Sequence, residues 1–340
     1  MKKTILKTAI ALTVALTLQA QAQTAEHTLR FAHFWPAVSG THKMVFQVWA
    51  DKVEKESDGR ISVEMYPSST LAKPPAQYDA VKNGIADITA TVQGYTANRF
   101  PLTQIVELPG IVKNAAQGSC IVQSLYDEGL VSSEYKETRP LFLFTHGQGH
   151  LHTEGALVKT PEDLQGLRIR RPTSVVGKLL EGLGAQPVGM PAPASYQSLQ
   201  RGVIDGVALP WDGVLSFRIN ELAENHTEIG GLYSLSFVVT MNKDAYNDMP
   251  KDLQAVIDNN SGTAWSQIAA KSFDLLDVKG RAAAVAAGHN IHVVEGGSEN
   301  AEWKPVLDQA TQEYLSELEA KGLPARKVYA RALDLSKTCL

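Results

Sequence analysis

Strand-like and helix-like stretches alternate twice along this chain, over about 24–145 and again over 147–235, and this alternation narrows the possible folds more than any other feature. Leu29, Phe31 and His33 alternate as on a strand until Pro36 and Gly40 interrupt them. Val45, Val48, Trp49 and Val53 then recur at helical spacing, and Asp58-Gly59 ends that run. "RISVEMYP" predicts a second strand, "PAQYDAVKNG" a short helix and "IADITATV" a third strand.

The second block repeats the grammar after "RPLFLFTH". Thr160-Pro161-Glu162-Asp163 carries a cap residue, a proline at the first helical position and acids in the first turn. "LRIR", "AQPVGM" and "VIDGVALP" predict strands, with "SVVGKLLEGLG" and "PASYQSLQRG" as helices between them. Such alternation predicts two α/β lobes with mostly parallel sheets. "LSFVVTMN" predicts a strand returning to the first lobe. In the helical stretch 242–288, Leu253, Val256, Ile257, Trp265, Ile268 and Ala269 form an apolar stripe, predicting a helix that braces both lobes. No internal repeat stands out.

The first 22 residues predict a cleavable export signal: Lys2, Lys3 and Lys7, an apolar run from Ala9 to Leu18, then Ala20-Gln21-Ala22 as the cleavage pattern. That run is about half of the roughly 20 residues a membrane helix needs, so stable membrane insertion is not expected. The signal holds three lysines and no acid, so the remaining chain carries −7 where the whole carries −4. This argues against nucleic acid or an anionic membrane as partner. In an oxidising compartment Cys120 and Cys339 either pair or stay as separate thiols, and the sequence leaves both open.

Nucleophile elbows, phosphate loops and H-E-x-x-H are absent from the sequence. His150 and His152 share one face of a strand, but with Glu154 they lack a recognisable third metal ligand, so no metal is expected. The concentration of charge in "LRIRRP" asks more of an explanation. Leu167 and Ile169 face a core, while Arg168 and Arg170 share the opposite face. Arg170 stands where Pro172 ends the strand, and ligands of open α/β sheets bind at strand carboxyl ends. A guanidinium there grips a carboxylate through two parallel hydrogen bonds. The alternative is three solvated surface charges.

"KTPEDLQGLRIRRP", "LEGLGAQPVGMP" and "YQSLQRGVIDGVALPW", with "DGRISVEMYPSSTL" and "AVKNGIADIT" before them, resemble the solute receptors of tripartite ATP-independent periplasmic (TRAP) transporters of the dicarboxylate-receptor (DctP) type. The likeness covers nearly all of the chain after the signal. It implies an α/β, two-lobed, type II-like periplasmic-binding-protein fold, with 23–146 plus 236–275 as the first lobe and 147–235 plus 276–340 as the second. It places the carboxylate clamp on Arg170, leaving Arg168 as a neighbour and Arg171 as a surface or interlobe contact.

The chain departs from the family pattern at two places. Gly149, His150 and His152 stand where many members carry a second arginine, and Leu209-Pro210-Trp211 replaces an asparagine-proline pair. Both changes remove polar grips, so the expected ligand is a monocarboxylate with an apolar or aromatic body. Trp35, Tyr95, Leu209 and Trp211 are expected to line its site, and His33, Gln93, His150 and His152 to supply polar contacts. The expected partners are that organic acid and the TRAP permease subunits. The protein is expected to be a periplasmic monomer with no cofactor and no enzymatic activity. Alternatives are a receptor for a sensor kinase, specificity for C4-dicarboxylates or hydroxy-keto acids, and a periplasmic lyase or hydrolase.

Overall fold

The computed structural model describes residues 25–339; the export signal expected at 1–22 lies outside them. In chain order the strands are β1 (His27–His33), β2 (Ile61–Tyr66), β3 (Ile88–Val92), β4 (Arg139–Thr145), β5 (His150–Thr153), β6 (Arg168–Arg171), β7 (Gln186–Gly189), β8 (Gly206–Leu209), β9 (Asn225–Glu228), β10 (Ser236–Met241) and β11 (Asn290–Val293). They form two sheets, ordered β2-β1-β3-β10-β4 and β11-β9-β5-β8-β6-β7. The expectation of mostly parallel sheets needs correction. β10 runs antiparallel to both β3 and β4, and β5 antiparallel to both β8 and β9. Each follows a crossing between the lobes, β5 after β4 and β10 after β9.

β10 lies in the first sheet, as the returning strand was expected to do. The helical stretch that follows breaks at Asp248–Pro250 and again at Asn260–Ser261. There the Asn260 carbonyl accepts the indole N–H of Trp49 at 2.8 Å, and Asn260 Oδ1 accepts that of Trp265 at 3.0 Å. Gly262 then takes φ +68°, a left-handed turn glycine adopts without strain. Beyond it runs the brace helix Gly262–Ala286.

The brace packs on both lobes. Asp274 accepts the main-chain N–H groups of Ala115 and Ala116, at 2.7 and 3.1 Å, where the first-lobe helix Ala115–Asp127 begins. One turn on, Asp277 Oδ1 accepts the N–H of Asp212 at 2.7 Å from the second lobe. Gly280 makes this approach possible, because a Cβ there would stand 2.3 Å from the carbonyl oxygen of Trp211.

The C-terminal helices were assigned to the second lobe, and the last of them departs from that. Lys304–Ala320 packs on the second-lobe helix Ser174–Gly182. Ala325–Thr338 instead packs on Ala115–Asp127, burying Val328, Ala332 and Leu335 in the cluster that holds Ile121, Val122 and Leu125. A disulfide between Cys120 and Cys339 ties its end to the first lobe. The pairing left open by the sequence is therefore made.

The two lobes also share a device that no sequence repeat advertises. Arg30 in β1 bonds Asp87 through its main-chain N–H, Nε and Nη2, at 2.8, 2.9 and 3.0 Å, and reaches the Gly84 carbonyl. Arg168 in β6 bonds Asp205 through the same three groups at 2.7, 3.0 and 2.6 Å, and reaches the Gly202 carbonyl. "NGIAD" and "RGVID" thus close the same helix-to-strand turn in both halves. Arg168 is thereby committed to Asp205.

Candidate functional site

Arg170 sits at the C-terminal part of β6, between β7 and β8. Its side chain is fully buried, at 0% exposure, yet no carboxylate among the described residues pairs with it. A lone buried charge is costly unless its hydrogen bonds are met. Nε donates to the Met190 carbonyl at 2.9 Å, Nη1 to the Ala208 carbonyl at 2.9 Å and Nη2 to the Tyr95 hydroxyl at 3.0 Å. Three of the five guanidinium N–H groups are spent, and one on each terminal nitrogen is left. A carboxylate pairs with a guanidinium through two such N–H groups.

Tyr95 reaches Arg170 from the first lobe, from the short turn after β3. Its hydroxyl oxygen accepts from Arg170 and also from the N–H of Ala192 at 2.9 Å. Both bonds cross between lobes and both use the oxygen as acceptor, so the phenolic hydrogen stays free to donate.

Beside Arg170 lies a small cavity between the lobes. Aromatic rings build its walls. Phe34 and Trp35 stack with centroids 3.8 Å apart, Phe237 packs on Trp35 at 5.6 Å and on Phe273 of the brace at 5.8 Å, and Phe217 closes the second-lobe side. Leu209 and Pro210 complete that side. His146 also lines it, with both ring nitrogens committed: Nε2 accepts the N–H of Leu235 at 3.2 Å, so Nδ1 carries the hydrogen donated to the Gly147 carbonyl at 2.7 Å. Burial lowers its pKa to about 3, so the ring is neutral.

Of the residues expected at the site, the structure brings Arg170, Trp35, Tyr95 and Leu209 together around this cavity. The others lie elsewhere. His33 faces into the first lobe, 2.9 Å from His42 Nδ1 through Nε2, and burial lowers its pKa to about 3. Gln93 is buried one residue past the cavity-lining Val92, and its amide has no partner among the described residues. His152 donates from Nε2 to the Leu209 carbonyl at 3.0 Å and contacts His226 Nδ1 at 2.8 Å. Both it and His150 pack on the Trp211 ring, which turns away from the cavity and donates its N–H to Glu228 at 2.8 Å. These imidazoles are neutral core groups whose pKa burial pushes down.

Position 149 admits no side chain, since a Cβ would stand 2.1 Å from the Tyr233 ring. Phe34, His146, Asp212, Phe217, Phe237 and Phe273 line the cavity without having been expected there. Only Phe34 carried a signal, as the neighbour of Trp35 just beyond a strand.

A second polar contact joins the lobes. Glu107 in the first lobe is fully buried, and its Oε2 accepts the hydroxyl of Thr173 from the second at 3.0 Å, while Oε1 accepts the Ser236 hydroxyl at 2.8 Å. Burial outweighs these bonds and raises its pKa to about 7. Between about pH 4.5 and 7 the folded chain therefore holds a proton that the unfolded chain has lost. Stability conferred by that proton is full below about pH 4.5 and is lost as pH rises to 7, at about 1.4 kcal/mol per unit. Denaturant titrations at pH 5 and 7.5 are expected to show this loss in the wild type and a smaller one in Glu107→Gln. Equal slopes would refute it.

Two sheets joined by a brace helix, with a lone guanidinium facing an apolar cavity between them, define a two-lobed solute-binding protein. The pattern of the bacterial extracellular solute-binding proteins of family 7, DctP, matches residues 31–318. The chain belongs to this family of TRAP solute receptors, which bind and do not catalyse.

A TRAP solute-binding protein from Rhodoferax ferrireducens, solved with copurified benzoate, is 39% identical with a TM-score of 0.88, over 92% of this chain and 98% of that one. A marine-metagenome TRAP protein specific for aromatic acids, solved with 3-hydroxybenzoate, is 37% identical with a TM-score of 0.89, over 93% and 99%. A third, from Bordetella bronchiseptica with bound mandelate, is 27% identical with a TM-score of 0.83, over 92% and 99%.

Proposed function

We propose that this protein, exported through its N-terminal signal, captures an aromatic monocarboxylate in the periplasm and delivers it to a TRAP permease. One observation carries the reading: Arg170 is a buried cation without an anionic partner among the described residues, at the edge of a cavity walled by aromatic rings. The acid group takes the two free N–H groups of Arg170 and the hydroxyl of Tyr95, and the ring fills the space between Phe34, Trp35, Phe217 and Phe237. Bound benzoate, 3-hydroxybenzoate and mandelate in the similar receptors support this class of guest.

Closure of the lobes has a direct physical role. Tyr95 comes from one lobe and Arg170 from the other, so the clamp is complete only when they meet. Shutting the cleft also excludes water, which strengthens the ion pair.

Thermal denaturation against a panel of acids tests the reading. Ligand at about 100 times its dissociation constant stabilises by roughly 2.7 kcal/mol, a midpoint rise of several degrees. Benzoate, the hydroxybenzoates and mandelate are expected to produce that rise, and succinate and sugar acids are not. A panel in which only dicarboxylates or sugar acids raised the midpoint would overturn it.

A further inference from the structure

Arg170 and Tyr95 offer the cavity only hydrogen-bond donors, and both ring nitrogens of His146 are already used. Asp212 is the exception. It lines the same cavity on the first turn of the helix Trp211–Ser216, and it is 3% exposed.

Its Oδ1 accepts the hydroxyl of Thr41 at 3.1 Å from the first lobe and that of Ser216 at 3.2 Å from the second. Its main-chain N–H is held by Asp277. Oδ2 has no hydrogen-bond partner among the described residues. The carboxyl is therefore fixed at one oxygen and unpaired at the other.

We propose that Asp212 Oδ2 reads the substituent on the bound ring: it accepts a hydrogen bond from a ring hydroxyl and turns away a second carboxylate. This rests on the aromatic-acid reading above and narrows it to hydroxy-substituted aromatic monocarboxylates. Three physical terms act together. A hydroxyl donating to a carboxylate makes one of the stronger hydrogen bonds. An unsubstituted ring strips water from Oδ2 and returns nothing. A second carboxylate meets a like charge in a water-poor space where repulsion is weakly screened.

Calorimetry with benzoate, the three monohydroxybenzoates and benzene-1,3- and 1,4-dicarboxylate, on the wild type and on Asp212→Asn, tests this. The wild type is expected to bind at least one hydroxybenzoate about ten- to a hundredfold more tightly than benzoate, and the dicarboxylates more weakly than benzoate. In Asp212→Asn the hydroxyl preference is expected to fall to within about threefold of unity, and the handicap of the dicarboxylates to shrink about tenfold. Equal wild-type affinity for benzoate and every hydroxybenzoate overturns the proposal without any variant, as does a preference that survives Asp212→Asn. Benzoate binding without hydroxyl preference sinks this inference alone. No aromatic acid binding at all sinks the parent reading with it.

Discussion

Replacing Arg170 by alanine is expected to weaken binding of an aromatic acid by about 2–5 kcal/mol, from about thirtyfold to several-thousandfold in the dissociation constant. The carboxylate would enter a cavity whose remaining polar groups are one hydroxyl, a neutral imidazole and the acidic Asp212. Water excluded by closure cannot replace the lost partner. Arg170→Met keeps most of the aliphatic volume and separates loss of charge from loss of packing. Arg170→Lys restores a charge without the fork, and its affinity is expected to fall between wild type and methionine. Arg168→Ala serves as the control, because Arg168 is half-exposed and engaged with Asp205, and its binding should match wild type. A calorimetric loss below about 1 kcal/mol in Arg170→Ala would remove this residue from the centre of the site.

Loss of the Cys120–Cys339 bond is the second large effect, and it falls on stability. The bridge joins positions 219 residues apart, and a loop that long gives the unfolded chain much freedom to regain. Cys120→Ser with Cys339→Ser is expected to cost about 2–5 kcal/mol of unfolding free energy. The C-terminal helix would not detach wholly, because Gln117 still donates to the Ser336 carbonyl at 2.8 Å and Arg331 still pairs with Glu128. Ligand affinity should stay within about twofold, since none of these residues reaches the cavity. Denaturant unfolding of the double variant against wild type, with and without reductant, measures the cost. A difference under about 0.5 kcal/mol would show the helix to be held by packing alone.

The layout of elements was legible because it is written locally. A strand with one residue type facing each side, a capped turn and a glycine at a helix end need only their neighbours, so β1, β2, β3, β6 and β8 stand where the alternation puts them. The parallel expectation failed at β5 and β10, whose direction depends on how the chain crosses between lobes. The site was legible in part for the same reason. Arg170, Trp35, Tyr95 and Leu209 sit at strand ends, a property of sequence position. His150, His152 and Trp211 also stand near strand ends, but the Trp211 ring folds back over the imidazoles and takes Glu228 as its partner. Nothing along the chain announces that choice.

By itself, then, the sequence determined two α/β lobes, the returning strand and the brace, and a guanidinium at the end of β6, because each is a matter of spacing within a few tens of residues. Tertiary structure alone decided that this guanidinium is buried with no anionic partner among the described residues, that Tyr95 meets it from the other lobe, and that Asp212, Phe217, Phe237 and Phe273 share its cavity. Those residues lie far apart in sequence and come together where Asp274, Asp277 and Gly280 seat both lobes on one helix. The character of the pocket is set by that docking, and docking leaves no periodic trace in a chain.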